Sequence, residues 1–221
     1  MEGRCRKAGA AVLVPLCREE RGKEEGGKEE EEEEMAEEER GKEKGGREES
    51  WNAAVLFTRR SSSLGGRHRG DVCFPGGMAE EFDGDPLRTA LRETEEELGV
   101  TVREGQVWGA LDPITDRTGL MIIPFLANLG PIDVASIKAN PREVEEVFAV
   151  ALSELCAPEN RGYTRYGERG RWAYTLPVFS VRGLKIWGVT ALILNSTLQL
   201  LFPETYIDSI CPKTGSETGK F

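Results

Sequence analysis

The sequence predicts an α/β fold in which helices pack on the faces of a mixed β-sheet. Short apolar runs rich in β-branched and aromatic residues recur along the chain, as strands require. Two segments with helical spacing, Pro86–Leu98 and Gly188–Leu201, interrupt these runs. The 221 residues, of which 38% are hydrophobic, are enough for one core. Many short strands with two well-separated helices are typical of a sheet covered by helices.

The first two predicted strands, residues 10–17 and 52–58, flank an acidic segment. Residues 18–50 contain sixteen glutamates against eight Lys or Arg and carry most of the net charge of −10. The segment has no aromatic or β-branched residue, so it cannot bury enough apolar surface to offset the entropy of ordering. We predict a disordered insertion between two neighbouring strands, with docking of a basic partner as the alternative. The domain then covers residues 8–206, and residues 207–221 form a flexible tail.

The remaining strands are predicted from apolar content and short length. They are the runs DVCF, VWGAL, MIIPFLANL, VFAVAL, RWAYTLPVFSV and LKIWG. The second helix, Gly188–Leu201, contains Asn195 and Gln199 and is interpreted as a buried amphipathic helix. No uninterrupted apolar run reaches the roughly 20 residues that span a bilayer, so we expect no membrane-spanning segment.

Charge and cysteine usage exclude further classes. No basic cluster has the size of a nucleic-acid footprint, so no nucleic-acid partner is expected. The five cysteines form no C-x-x-C pair and the chain has one histidine, which disfavours structural zinc and a disulfide scaffold. Cys73, in a short strand, is predicted to be buried and inert. A reducing compartment fits this pattern; the mildly basic N-terminus is short for a transit peptide, and no secretory signal is evident.

Strong local signals bound the first helix. Asp85 can cap its N-terminus, Pro86 suits the first turn, and Gly99 suits the C-terminal stop. Apolar or small side chains recur at helical spacing and predict a stripe that faces the core. These are Leu87, Leu91, Thr94 and Leu98.

Three glutamates lie beside that stripe. Glu93, Glu96 and Glu97 span about 100° of the helix, whereas Glu95 points elsewhere. Carboxylates crowded in this way repel one another and raise each other's pKa, and a hard divalent cation removes the conflict. A solvated helix face is the ordinary alternative. The Pro75-Gly76-Gly77 turn before the helix leaves room for a ligand and favours the metal site.

These residues resemble the box of the Nudix hydrolases, G-x5-E-x7-R-E-U-x-E-E-x-G-U. Residues 92–100 match its second half, with Thr94 in place of an apolar residue. In the first half, Gly84 occupies the position of the early glutamate. Counting forward from Gly77 reaches Asp83 instead, with eight residues before Arg92. One additional loop residue accounts for both counts, so the early acid is shifted.

Flanking stretches are similar to the coenzyme A diphosphatase branch of that family. They are LFTRRSSSLGGRHRGDVCFPGG, NPREVEEVFAVAL, YTLPVF and IWGVTALIL. The resemblance implies an α/β/α sandwich that hydrolyses coenzyme A and acyl-coenzyme A to 3′,5′-ADP and (acyl-)4′-phosphopantetheine. It also implies a mitochondrial location, with the cytoplasm as the alternative. The rival functions are hydrolysis of another nucleoside diphosphate derivative, such as NADH or ADP-ribose, and an inactive nucleotide-binding module.

The resemblance also implies roles for the acidic helix. Glu93 and Glu97 are expected to bind Mg²⁺ or Mn²⁺, and Glu96 is either a further ligand or the base that deprotonates water. Arg92 is expected to orient a glutamate. Glu96, Glu93 and Arg92 thus form the predicted catalytic group.

Substrate contacts are expected from the turn and from the stretch before it. Gly76 and Gly77 let the substrate approach the backbone. Arg59, Arg60, Arg67 and Arg69 are candidates to meet the 3′-phosphate of coenzyme A. His68 either contacts substrate or holds its loop. A further ligand or base is possible at Glu143, Glu145 or Glu146, where a plain turn into a strand is the alternative.

Overall fold

A computed structural model describes residues 9–19, 53–63, 65, 68–168 and 171–206, without the side chains of residues 166–174. Most of the predicted insertion, the predicted tail and Arg67 lie outside the described residues. The strands are β1 (Ala10–Glu19), β2 (Ala53–Arg60), β3 (Val72–Cys73), β4 (Gly76–Met78), β5 (Val107–Ala110), β6 (Ile114–Thr115), β7 (Met121–Ile132), β8 (Val144–Ala151), β9 (Arg161–Glu168), β10 (Arg171–Val181) and β11 (Leu184–Ile186). The α-helices are α1 (Pro86–Leu98), α2 (Leu152–Cys156) and α3 (Gly188–Leu201).

The main sheet is mixed, and β1 lies at its centre. Strand β1 pairs in parallel with β7 and antiparallel with β2 and β4. The strand order is β3-β2-β1-β7-β5, with β8 joined to β2 and β6 joined to β7. A second, antiparallel sheet has the order β11-β10-β9. The predicted pairing of the two strands that flank the acidic segment is confirmed by Leu16 opposite Val55.

Side chains alternate between the two faces of the main sheet, as strand geometry requires. Val14, Val55 and Phe57 belong to a core that includes Ile193 and Leu194 of α3. Leu13, Ala54 and Leu56 belong to cores on the other face, where Leu91 and Leu98 of α1 pack. The sheet therefore lies between α1 and α3, and the predicted α/β/α sandwich is confirmed.

Helix α1 has the predicted bounds because its caps form as expected. Asp85 Oδ1 accepts a hydrogen bond from the Arg88 backbone N–H at 3.0 Å. Gly99 has φ 67° and donates its N–H to the Glu95 carbonyl at 2.8 Å. Of the predicted stripe, Thr94 and Leu98 are fully buried, whereas Leu87 and Leu91 are half-buried. Helix α3 also has its predicted bounds.

Several elements were not predicted. Strands β4, β6 and β9 and the short helix α2 had no strong local signal. Strand β9, RGYTRYGE, mixes glycine with charge and lacks apolar alternation. Strand β1 also continues through Arg18 and Glu19, which we had placed in the acidic insertion. Within the described residues, no helix has both the length and the apolar character needed to cross a membrane.

Candidate active site

Arg92 organises the acidic face of α1. Its Nε donates to Asp83 Oδ1 at 2.7 Å and its Nη2 donates to Asp83 Oδ2 at 3.0 Å, which makes a bidentate pair. Nη1 lies 3.0 Å from Glu96 Oε2 and 3.1 Å from Glu93 Oε1. Nη2 also donates to the Met78 carbonyl at 3.2 Å. The expected contact between Arg92 and a glutamate is present. All three guanidinium nitrogens of Arg92 have partners in this network.

Asp83 is the shifted early acid. Besides Arg92, it accepts hydrogen bonds from the Glu80 backbone N–H and the Thr89 hydroxyl, both at 2.8 Å. The Arg92 hydrogen bonds hold the pKa of this carboxyl well below its usual range. Gly84, the other candidate position, has φ 78° and ends the short 3₁₀ turn of Glu81–Asp83. The extra loop residue therefore keeps an acid beside Arg92 but places it one position earlier than the family box does.

Glu97 lies inside the buried face of α1, whereas we had predicted it beside that face. It is 4% exposed, and its Oε2 accepts a hydrogen bond from the Gly76 backbone N–H at 3.2 Å. The pKa of Glu97 is raised to about 7, chiefly by burial. The Gly76 hydrogen bond and the charge of Arg60 oppose this rise, and the charges of Glu93 and Glu143 add to it. Burial therefore disfavours the charged form of this carboxylate, which a bound cation would favour.

Two glycines let the sheet approach these carboxylates. We had predicted a loop at Gly76 and Gly77, but they lie in β4 and pair with Val12 and Ala11 of β1. Gly76 has φ 147°, and a Cβ there would collide with the β1 backbone. A Cβ on Gly77 would collide with the carboxylate of Glu93. Burial raises the pKa of Glu93, and Arg92 partly offsets that effect.

The acidic face fits a divalent cation with two of its three predicted ligands. Glu93 and Glu97 are one helical turn apart, repel each other, and face β4. Glu96 shares Arg92 Nη1 with Glu93 but is more exposed, at 53% against 15% of the side chain. Across the ranges that the structure describes, no three Asp, Glu, His or Cys side chains are gathered closely enough to hold a metal. Carboxylate oxygens are the ligands that hard divalent cations prefer. A cation bound by Glu93 and Glu97 would also relieve their mutual repulsion.

The predicted basic residues separate into two groups. Arg60 lines two adjoining cavities, of about 220 and 480 Å³, and His68 and Arg69 line the larger one. Arg59 does not join them, because its Nη2 lies 2.8 Å from Glu145 and 3.4 Å from Glu146. The contact of Arg59 with a phosphate stays a prediction.

The loop carrying His68 is held by acidic side chains. His68 Nδ1 lies 3.0 Å from Asp71 Oδ2, which agrees with the alternative that His68 holds its loop. Glu145 Oε2 accepts the Ser62 backbone N–H at 3.1 Å, and this hydrogen bond lowers the pKa of Glu145. Glu143 faces the other way: its Oε1 accepts from Asn140, and its charge raises the pKa of Glu93 and Glu97.

Sequence reasoning missed Trp187 and did not decide the role of Asp83. Trp187 precedes α3 and lines the larger cavity, and its only signal was a large aromatic at a helix start. Cys73 lines both cavities and was predicted to be buried, but it is half-buried. Burial raises the pKa of its thiol to about 11, which agrees with the predicted inertness.

Comparison with known proteins agrees with this geometry. A family model for the NUDIX domain matches residues 45–170. Mitochondrial coenzyme A diphosphatase NUDT8 of Mus musculus is 43% identical over 207 residues, which cover 94% of this chain and 84% of that protein. The Homo sapiens protein of the same name is 44% identical over 203 residues, which cover 92% of this chain and 73% of that protein.

One solved structure supports the fold. A MutT/nudix family protein from Enterococcus faecalis superposes with a TM-score of 0.50 at 16% identity, covering 88% of this chain and 62% of that one. The fold has a sheet between two helices, and the site has a glycine strand against two glutamates. The family model also matches more than half of the sequence. The chain belongs to the Nudix hydrolase family.

Proposed function

We propose that this protein hydrolyses the diphosphate bond of coenzyme A and acyl-coenzyme A, releasing 3′,5′-ADP and (acyl-)4′-phosphopantetheine. The observation that carries the proposal is the pair Glu93 and Glu97, held against the side-chain-free strand at Gly76 and Gly77. A cleft lined by Arg60 begins at the same strand. The names of the mouse and human relatives supply the substrate class.

The acidic helix supplies the binding and orienting groups. Nudix hydrolases generally need divalent metal ions, and Mg²⁺ or Mn²⁺ bound by Glu93 and Glu97 would neutralise the diphosphate oxygens and acidify a water. Arg92 fixes the direction of Glu93 through its Nη1. Gly77 lets the Glu93 carboxylate lie directly against β4, because a Cβ at that position would occupy the place of the carboxylate.

Glu96 is best placed to accept a proton from water. Its side chain is exposed, and it lies on the same helix as Glu93 and Glu97 but is not packed against β4. The Arg92 contact at 3.0 Å directs its carboxylate. Its alternative role is that of a further metal ligand.

The two rival functions predict different substrate patterns. A hydrolase of NADH or ADP-ribose has no use for a contact with a 3′-phosphate. An inactive binding module gains nothing from Glu97, whose burial beside Glu93 and Glu143 opposes its charge. The site therefore favours hydrolysis. The names of both relatives further support a mitochondrial location for the protein.

The test is release of 3′,5′-ADP from coenzyme A with Mg²⁺ or Mn²⁺, compared with dephospho-coenzyme A, NADH and ADP-ribose. A charge-assisted phosphate contact is worth about 1.5–3 kcal/mol, so we expect kcat/KM for coenzyme A to exceed that for the dephospho form roughly ten- to a hundredfold. Faster turnover of NADH than of coenzyme A would refute the substrate class. Absence of turnover with every substrate would support the binding module instead.

A further inference from the structure

The larger cavity, of about 480 Å³, is lined by β3 and by the N-terminal end of α3, and no residue of α1 lines it. It adjoins the cavity of about 220 Å³ that Gly76 and Gly77 line. Arg60, Cys73 and Met78 line both, so the two form one cleft. The larger volume lies within the range of about 300–1,000 Å³ that is usual for small-molecule sites. A substrate whose diphosphate lies at the glycine strand can therefore extend one of its two halves into this space.

The walls of the larger cavity combine apolar surface, an indole and cations. Val72, Ile122 and Val189 contribute apolar surface. Arg60 and Arg69 contribute positive charge, and the lining contains one acid, Asp71, which pairs with His68 at 3.0 Å. The excess of positive charge over negative charge favours an anionic ligand.

Trp187 is held so that its indole stays accessible. It follows β11, whose last residue, Ile186, is completely buried in the core shared with α3. Trp187 has an extended backbone, φ −147° and ψ 179°, so its side chain leaves on the side opposite to Ile186. The residue is 38% exposed and lines the cavity. An exposed aromatic face in a cationic cavity is a stacking surface for a nucleobase.

We propose that this cavity binds the adenosine 3′-phosphate half of the substrate, with adenine against Trp187 and the 3′-phosphate between Arg60 and Arg69. The inference rests on the proposed function for its substrate. The two halves of coenzyme A offer different chemical groups to the walls of this cavity. Adenosine 3′-phosphate has a flat aromatic ring and a dianion, which match an indole and two guanidinium groups. The pantetheine arm is neutral, and its amides would leave both arginines without a partner on the ligand.

The test is titration calorimetry of the full-length protein with 3′,5′-ADP, 5′-AMP and 4′-phosphopantetheine. Trp187→Leu should weaken 3′,5′-ADP and 5′-AMP about tenfold, because both contain adenine, and should leave 4′-phosphopantetheine unchanged. Trp187→Phe should restore most of the affinity. Arg69→Gln should weaken 3′,5′-ADP about tenfold but not 5′-AMP, which lacks the 3′-phosphate. Trp108→Leu is the matched control, since Trp108 is 58% exposed and lies on β5 outside the cavity lining.

The outcomes separate this inference from the proposed function. Loss of 4′-phosphopantetheine affinity in Trp187→Leu would assign the cavity to the other half of coenzyme A and overturn the inference. Unchanged binding of all three ligands in both Trp187→Leu and Arg69→Gln would also overturn it. Arg69 is an exposed residue, so its substitution should not impair folding and keeps the test decisive if Trp187→Leu unfolds. Failure of the wild-type protein to cleave coenzyme A contradicts the proposed function alone, because calorimetry does not depend on turnover.

Discussion

Replacement of Asp83 by Asn should destabilise the protein. Asp83 accepts four hydrogen bonds, two of them from Arg92, from a position that is 5% exposed. Asn has one acceptor oxygen. If the Asn oxygen takes the position of Oδ2, it can still accept the hydrogen bonds from Glu80, Thr89 and Arg92 Nη2. The Asn NH₂ group then takes the position of Oδ1 and faces the Arg92 Nε–H, so two donors meet.

The magnitude follows from that inventory. Removing one member of a buried ion pair costs about 3–5 kcal/mol, but Arg92 keeps Glu93 and Glu96 as partners, which reduces the loss. A charge-assisted hydrogen bond contributes about 1.5–3 kcal/mol. We therefore expect Asp83→Asn to lower the free energy of unfolding by about 2–4 kcal/mol. For a domain of this size the melting temperature should fall by roughly 5–15 °C.

The assay is urea unfolding of Asp83→Asn, compared with that of Asp85→Asn as the matched control. Asp85 caps the same helix through one backbone N–H, and Asn caps as well as Asp, so the control should lie within about 0.5 kcal/mol of the wild-type protein. The low pKa of Asp83 stabilises the fold above the ordinary carboxyl pKa of about 3.9, and this stabilisation is lost as pH falls toward the lowered value. Asp83→Asn should remove that part of the acid sensitivity. Equal stability of the two variants would refute the role given to Asp83.

Three further predictions concern the acidic helix, the glycine strand and the insertion. Glu97→Gln should leave the fold intact and remove nearly all hydrolysis. Glu95→Gln is the control, because Glu95 is exposed on the same helix, and it should retain hydrolysis. A Glu97→Gln rate above about a tenth of the wild-type rate would exclude a metal-ligand role for Glu97. Gly77→Ala should displace the carboxylate of Glu93, with little change in thermal stability because that side chain is flexible. We expect kcat to fall at least about tenfold, since a tenfold loss needs only about 1.4 kcal/mol of additional barrier. Gly105→Ala, where a Cβ meets nothing, is its control, and equal kcat in the two variants would contradict the prediction. Deletion of residues 22–48 with a short connecting turn should preserve solubility and turnover, because the flanking strands are antiparallel neighbours; an insoluble product would show a structural role.

The parts of the fold that the sequence predicted have local causes. Helix α1 was bounded correctly because Asp85, Pro86 and Gly99 are signals that act within one turn. The two strands beside the acidic segment were recognised because their apolar runs are strong. Strand β4 was missed because glycine has no side chain whose pattern can be recognised, and its identity as a strand depends on pairing with β1.

The site was predicted as far as helical geometry determines it. The positions of Glu93 and Glu97 follow from their spacing, but the burial of Glu97 depends on how closely β4 approaches. The basic stretch shows a clearer limit. Adjacent arginines of β2 meet different surroundings: Arg59 contacts Glu145 of β8, whereas Arg60 lines the cleft. Which partners each arginine meets depends on the pairing of β2 with β8, which composition and spacing do not reveal.

The central place of β1 determines which fragments of this chain can be produced. The family model begins at residue 45 and ends at residue 170, so it excludes β1 and everything from β10 through α3. A recombinant fragment cut at those limits would leave β2 and β7 with open edges, the pattern that promotes aggregation, and would uncover one face of the sheet. It would also remove the strand against which Gly76 and Gly77 pair. Truncations for crystallisation or screening therefore need to retain the chain from β1 through α3.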